Sequence, residues 1–366
     1  MSILGKAKRY LRAKRNAGRL RSQREILGNQ GMIGLDVGAA EGLQPYWNEY
    51  VGAVELYLFE PHLENATRLK EMHAGTPHAD MFHVLSFGLA KRTGERTLNV
   101  SNVPTGSSLY PIDPESEFVD PGNAYFFPMR EVTVPVRNIS EVLDEMSLPR
   151  VDMIKLDVQG AELEILSGLD DARKREVLLI EAEVNISGGI NRNLSPYKGA
   201  PSWSAIDAFC ADAGMRLLNF NTARTYRSKN GDGDYYQREM FDVYTNSPGI
   251  SAHVWEADVV YVRDYRALIK NRDAAGLRRL MVALGGYRFF SEGGFIVDEA
   301  EKAVVFTRSE ADTLRNNLAQ WHRTSVRRPW HGRGRGWAMA RKLMRRMRCS
   351  QLLRWQQYLW HEYPNG

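Results

Sequence analysis

Residues 151–168 read VDMIKLDVQGAELEILSG, and the fold is decided there. Val151 to Val158 is mainly apolar, interrupted by Asp152, Lys155 and Asp157. Beyond it, Leu163, Leu166 and Leu169 recur at helical spacing. A mainly apolar run giving way to helical spacing predicts a buried strand that runs into a helix. Asp157 falls at the strand's carboxyl end and Gly160 in the turn. Glu162 and Glu164 fall in the first helical turn, where the helix dipole favours carboxylates. Open α/β sheets bind ligands at the carboxyl ends of their strands, so Asp157 is the first candidate for chemistry.

Upstream, Met32–Val37 is predicted as a buried strand. The turn Gly38-Ala39-Ala40-Glu41-Gly42 is expected to lead into a helix through Tyr50. Glu55–Phe59 follows as a second strand, ending in Glu60-Pro61, with a helix to about Met72. This is a βαβ unit. Gly38 would let a ligand approach the backbone, and Gly42 would allow close helix packing. Asp36-x-Gly38-x-x-x-Gly42 does not meet the G-x-G-x-x-G dinucleotide fingerprint. Glu60, at the second strand's end, is placed to accept ribose hydroxyls. A Gly-rich turn that holds no ligand is the competing reading. Phe82–Phe87 is predicted as a third strand, leading to Gly88-Leu89-Ala90 as a surface for an adenine ring. His73, His78 and His83 share neither a helix face nor a strand face, and no metal site is expected there. Glu95–Val100 reads as a strand. A Pro- and Asp-rich loop to about Pro128 holds Ser107 and Ser108, which can cap a helix or reach a ligand. Val132–Val136 reads as a strand, and Ser140–Met146 as a short helix with Ser140 as its cap.

Downstream, Val177–Val184 is a further buried strand carrying Glu183. A Gly/Asn/Pro loop over Ser187–Ala200 contains Tyr197, and Trp203–Ala213 reads as a helix. Met215–Phe220 and Glu256–Arg263 are strands separated by a polar insertion. Its Asn230-Gly231-Asp232-Gly233-Asp234 lacks the spacing of a calcium loop and is read as a turn. The whole predicts a doubly wound α/β sheet with an antiparallel addition. From Asp264, helices are expected over Tyr265–Leu284, Ser309–His322 and Trp337–His361, around a small Phe289–Phe306 segment. Three parts follow: a basic amphipathic arm (1–28), the sheet domain (29–263) and a helical C-terminal extension with a basic tail (264–366).

The chain has 366 residues, 43% of them apolar, enough for a large core. No apolar run reaches transmembrane length, and the N-terminus is basic where a signal peptide would be apolar. Cys210 and Cys349 are the only cysteines, which predicts a cytoplasmic chain without a disulfide scaffold. Residues 1–25 hold nine Lys/Arg against Glu25, and residues 323–366 hold eleven against Glu362. The body between them is acidic. Two basic ends point to an anionic partner, either an anionic membrane surface or a polymer; solvated tails folded back on the acidic body are the alternative. Trp337, Trp355 and Trp360 among the arginines suit an interfacial helix, or a helix packed on the body by its aromatic face. No nucleic-acid motif is present, so no specific nucleic acid is expected. The oligomeric state is not readable.

With these pieces in order, the chain resembles the FkbM family of S-adenosylmethionine-dependent methyltransferases over about residues 32–263. The matching residues are Leu35-Asp36-Val37-Gly38-Ala39, Phe59-Glu60-Pro61, Gly106-Ser107-Ser108-Leu109, Ile154 through Glu162, Glu183 followed by Tyr197, and Ala257 through Val262. K-x-D-V-x-G-A-E after a strand is the sharpest element. Ala40 stands where the family often has Asn, and Gln159 where it often has Glu. The resemblance implies a Rossmann-like class I methyltransferase sheet with an antiparallel last strand. S-adenosyl-L-methionine is the implied cofactor. Its amino-acid end would be held around Asp36, Gly38, Ala39, Glu41 and Gly42, and its ribose by Glu60 beside Pro61. Gly88 and Ser108 complete the implied donor site. Asp157 is implied as base or positioning residue, Glu183 second, with Lys155 and Glu162 supporting them. Glu162 can also simply cap its helix. The implied acceptor is a hydroxyl of a glycan, a glycolipid or other lipid-linked molecule, or a natural product. A nucleotide-dependent oxidoreductase and an inactive membrane- or polymer-binding protein are the alternatives.

Overall fold

The computed structural model describes residues 3–44, 46–102, 104–116, 126–186, 188–189, 192–193, 195–226, 241–242 and 253–325. In chain order these form α1 (Ile3–Leu27), β1 (Ile33–Val37), a 3-10 turn at Trp47–Tyr50, β2 (Glu55–Phe59), α2 (Leu63–Ala74) and β3 (Phe82–Leu85). Next come β4 (Gly88–Ala90), β5 (Gly94–Ser101), β6 (Pro128–Asn138), α3 (Ile139–Glu145), β7 (Met153–Leu156), α4 (Glu162–Leu166), α5 (Asp171–Glu176) and β8 (Leu179–Asn185). After the short β9 (Gly188–Gly189) and β10 (Arg192–Asn193) follow α6 (Trp203–Asp212), β11 (Met215–Tyr226), β12 (Phe241–Asp242) and β13 (His253–Arg263). Four helices close the described chain: α7 (Tyr265–Lys270), α8 (Ala274–Gly286), α9 (Phe290–Lys302) and α10 (Arg308–Ser325).

The main sheet runs β3-β2-β1-β7-β8-β13-β11-β12. Its first five strands are parallel. The antiparallel addition is real: β13 pairs antiparallel with β8 and β11 antiparallel with β13. The order reverses between β1 and β7, the switch point at which such sheets bind ligands. A smaller sheet, β4-β6-β5, stands beside it.

Strand alternation sends side chains to two cores. Ile154, Leu156, Ile180, Ala182, Val259 and Tyr261 pack with α3, α4 and α6. Met153, Leu179, Val260 and Val262 pack with the end of α1 and with α8, α9 and α10. Residues 28 and 263 are therefore not boundaries of packing. Ile26 and Leu27 from one end share a core with Leu280, Ile296, Leu314 and Trp321 from the other. Within residues 15–27, Ser22, Gln23, Ile26 and Leu27 are buried. No helix among the described residues is long and apolar enough to cross a membrane.

Several local expectations are corrected. No helix follows Gly42, which takes φ +87° three residues before Pro45, a residue with no amide hydrogen. The 3-10 turn Trp47–Tyr50 occupies that layer, and the Tyr50 hydroxyl donates to Ala283 O of α8 at 2.6 Å. Asn138, not Ser140, caps α3, accepting from Ser140 N and Glu141 N at 2.8 and 3.2 Å. The Ser140 hydroxyl instead joins Gly168 O to Asp170 N. Tyr265–Leu284 is two helices, because Arg272 turns left-handed at φ +53° and Asp273 caps α8 through Gly276 N. The Phe289–Phe306 segment is the helix α9. The Asn230–Asp234 turn, the Trp337–His361 helix and Cys349 lie outside the described residues.

Candidate active site

Asp36, Lys155 and Glu181 lie side by side in register across β1, β7 and β8. Lys155, itself buried, sits 3.4 Å from Asp36 Oδ1 and 3.4 Å from Asp157 Oδ2. Burial pushes the lysine's pKa down, but Asp36, Asp157, Glu181 and Glu183 outweigh it and hold the ammonium charged. Asp36 is fully buried, and burial raises its pKa against the pull of Lys155. Among the described residues neither Asp36 carboxylate oxygen receives a hydrogen bond; Lys155 serves it as an ion-pair partner. Glu181 is satisfied from the other side, by Trp47 Nε1 at 2.9 Å, Asn221 Nδ2 at 3.0 Å and the Tyr287 hydroxyl.

The backbone of the switch point is tight. Gly38 takes φ +85°, and a Cβ there would lie 1.9 Å from Asp157 O. Its smallness is demanded first by the neighbouring strand end, whatever else approaches it. Gly38 N and Ala39 N both donate to Phe59 O, at 3.1 and 3.3 Å, which ties this turn to the end of β2.

The turn after β7 is built by four sequence-expected residues and two unexpected ones. Glu162 Oε1 accepts from Val158 N and Gly160 N at 3.1 and 3.2 Å, so this acid folds the turn. Burial raises its pKa to about 7, opposed by those backbone N–H groups. The Ser108 hydroxyl donates to Gln159 O at 2.6 Å and accepts from Tyr110 N at 2.9 Å. Through these two bonds Ser108 braces the turn. Gln159, at φ +58°, donates from Nε2 to Asp157 Oδ1 at 3.1 Å and to Glu183 Oε2. Tyr197 donates to Gln159 Oε1 at 2.6 Å and reaches Gly106 O at 3.0 Å. Gln159 and Tyr197 are motif residues to which the sequence alone assigns no role. Their polarity beside two acids was the only available signal.

The donor-side candidates form a second group. Glu60 is buried at the end of β2, its pKa raised by burial, and accepts from His62 N at 2.8 Å. A Cβ on Gly88 would lie 3.5 Å from Pro61 Cβ, so Pro61 and Gly88 are neighbours. Ala39 is buried and Glu41 exposed. A Cβ on Gly42 would lie 3.2 Å from Met72 Sδ, so Gly42 does serve close packing, against α2. Arg68 donates to Ala40 O at 2.6 Å and pins the same turn. The three spaced histidines go to different neighbours: His73 stacks on Phe82, His83 on Tyr57, and His78 lies against Gly52. Among the described residues no group of three or more His, Cys, Asp or Glu is placed to hold a metal.

The methyltransferase FkbM domain matches residues 36–217 of this chain. A stretch of 50 residues is 44% identical to the AMB antimetabolite synthetase AmbE of Pseudomonas aeruginosa, covering 14% of this chain and 2% of that protein. A stretch of 75 residues is 39% identical to Methyltransferase 1 of Beauveria bassiana, covering 19% of this chain and 30% of that protein. The chain thus spans less than a third of either curated relative. A crystal structure of a methyltransferase FkbM from Methylobacillus flagellatus aligns at 14% identity and a TM-score of 0.30, over 63% of this chain and 43% of that one. From the Asp36 strand end through the K-x-D-V-x-G-A-E turn to β11, residues 36–217 form an FkbM-family methyltransferase domain.

Proposed function

We propose that this protein transfers the methyl group of S-adenosylmethionine to a hydroxyl oxygen of a glycan, glycolipid or related natural product. The reading rests on one placement: Asp157 and Glu183, joined by Gln159, stand at the carboxyl ends of β7 and β8 beside the Asp36–Gly38 turn. The residues fit the donor. Asp36 is a buried carboxylate with unfilled acceptor capacity, which suits an ammonium donor. Glu60 lies at the end of the next strand, where ribose hydroxyls are accepted. When bound, S-adenosylmethionine supplies a methyl group on a positively charged sulfur, open to displacement by an oxygen lone pair.

The chain's own residues orient the acceptor and take its proton. Asp157 receives a hydrogen bond from Gln159 on one oxygen and the Lys155 charge on the other. These two contacts fix the carboxylate in place, which suits it to holding an acceptor hydroxyl in line. Glu183 is the second acid within reach of the same proton. The basic residues of 1–25 and 323–366 favour an anionic or lipid-linked acceptor, met at the cytoplasmic face of a membrane.

The test is full-length protein with methyl-labelled S-adenosylmethionine and glycan or lipid extracts from cells lacking the gene. Mass spectrometry is expected to find products heavier by one CH2 group. Asp157→Asn is expected to lower turnover by about 10²–10⁴-fold with donor binding retained. Calorimetric binding of NAD but not of S-adenosylmethionine would overturn the reading. Flotation with anionic liposomes, with and without residues 1–27 and 323–366, tests the surface; protein that stays in solution in both forms removes the membrane from the proposal.

A further inference from the structure

Both polar atoms of the Gln159 side chain, and its backbone carbonyl, are engaged. Its Nε2 donates to Asp157 Oδ1 at 3.1 Å and to Glu183 Oε2. Its Oε1 accepts from the Tyr197 hydroxyl at 2.6 Å, and its backbone carbonyl from Ser108 at 2.6 Å. A primary amide nitrogen carries two N–H donors, and here one goes to each carboxylate. Turning the amide over would aim its oxygen at two acids, so the Tyr197 hydroxyl and the acids together select one orientation.

Two carboxylates within hydrogen-bond reach of one atom ordinarily share a proton or hold a cation between them. A neutral group that donates to both removes that need. We propose that Gln159 is the positioning residue of this site: its amide stands where a shared proton or a divalent cation would otherwise lie, keeping Asp157 and Glu183 both ionised at fixed spacing. Among the described residues, the titratable and charged groups facing the pair include Lys155 of β7, Asp36 of β1, Glu181 of β8, Glu162 of α4, Asp258 of β13 and Tyr197 of the 195–200 loop. Lys155 supplies the positive charge on the buried side, 3.4 Å from Asp157 Oδ2. The amide therefore decides what happens on the side away from that lysine. The consequence for the reaction is that both acids are hydrogen-bond acceptors at neutral pH without a bound cation.

Gln159→Glu tests this by replacing the double donor with a third carboxylate. Mn2+ titrated into the full chain by calorimetry is expected to bind Gln159→Glu about tenfold or more tighter than the native chain, because ligand charge sets cation affinity. The melting temperature is the second readout. With three acids together, at least one keeps its proton in the folded state above its unfolded pKa. Stability of the variant relative to the native chain is then lost as pH rises through the carboxylate range. Mn2+ affinity and a melting profile both identical to the native chain would overturn the proposal. If Gln159→Glu does not fold, Gln159→Leu carries the test. It removes both N–H groups at similar size, and the same pH-dependent loss is expected. A constant offset from the native chain at every pH would overturn it, since a merely structural side chain costs the same throughout. Neither readout uses donor or acceptor, so each stands even if the proposed methyl acceptor is wrong.

Discussion

Lys155 and Glu162 show how burial makes single residues in this site act through charge. Lys155 is enclosed between Asp36 and Asp157, and Asp36 has no other charge partner among its hydrogen bonds and ion pairs. Lys155→Met is expected to leave a buried carboxylate uncompensated and to cost about 3–5 kcal/mol, read from the urea unfolding midpoint. Glu162 has a folded pKa of about 7, raised from 4.5 by burial. Its folded form holds a proton that the unfolded form releases, so stability falls as pH rises between these values and is level above them. Glu162→Gln keeps an acceptor for Val158 N and Gly160 N but cannot titrate. The melting temperature of the variant minus that of the native chain is expected to climb from pH 4.5 to about 7 and then flatten. Asp36, Lys155, Asp157 and Glu162 were readable because a strand-to-helix change of period exposes its own end. Gln159 was not. Asp157 is two residues away, but Glu183 and Tyr197 lie 24 and 38 residues away, and no local pattern records that an amide will meet them after folding.

Among the elements, strands were readable and helices on the outer layer were less so. The strand from Val177, Glu256–Arg263 and Met215–Phe220 are found where their apolar runs place them; for the first two, burial on both faces leaves a continuous signal. The helix expected after Gly42 fails because its place is taken by Trp47, Tyr50 and α8, elements brought together from opposite ends of the sequence. α8 admits these rings through small residues. A Cβ on Gly286 would lie 2.1 Å from Tyr50 Cζ, and one on Gly285 would lie 2.3 Å from Trp321 Cζ3. Gly286→Ala is therefore expected to lower stability by about 1–3 kcal/mol despite the better helix propensity of alanine. A drop in the calorimetric melting temperature is the readout; an unchanged or higher melting temperature would show that Tyr50 can give way.

For the molecule as a whole, composition pointed to an acidic body with basic ends but not to how much of those ends is structural. Charge is visible in a sequence; the buried stripe of α1 is not, because Ser22 and Gln23 interrupt it. A fragment of residues 29–263 retains every strand of the sheet yet lacks the end of α1 and all of α8, α9 and α10. Met153, Leu179, Val260 and Val262 would then face water. Such a fragment is expected to bind a hydrophobic dye strongly and to melt without a cooperative transition, whereas residues 1–325 melt cooperatively. One further consequence concerns the order in which the chain is made. The layer that joins Ile26 to Trp321 cannot close until residue 321 has been synthesised. At ordinary rates of synthesis the finished sheet, complete at Arg263, waits about 3–12 s with one face bare. Throughout that interval the newborn chain offers a chaperone the same surface that the last helices will later cover.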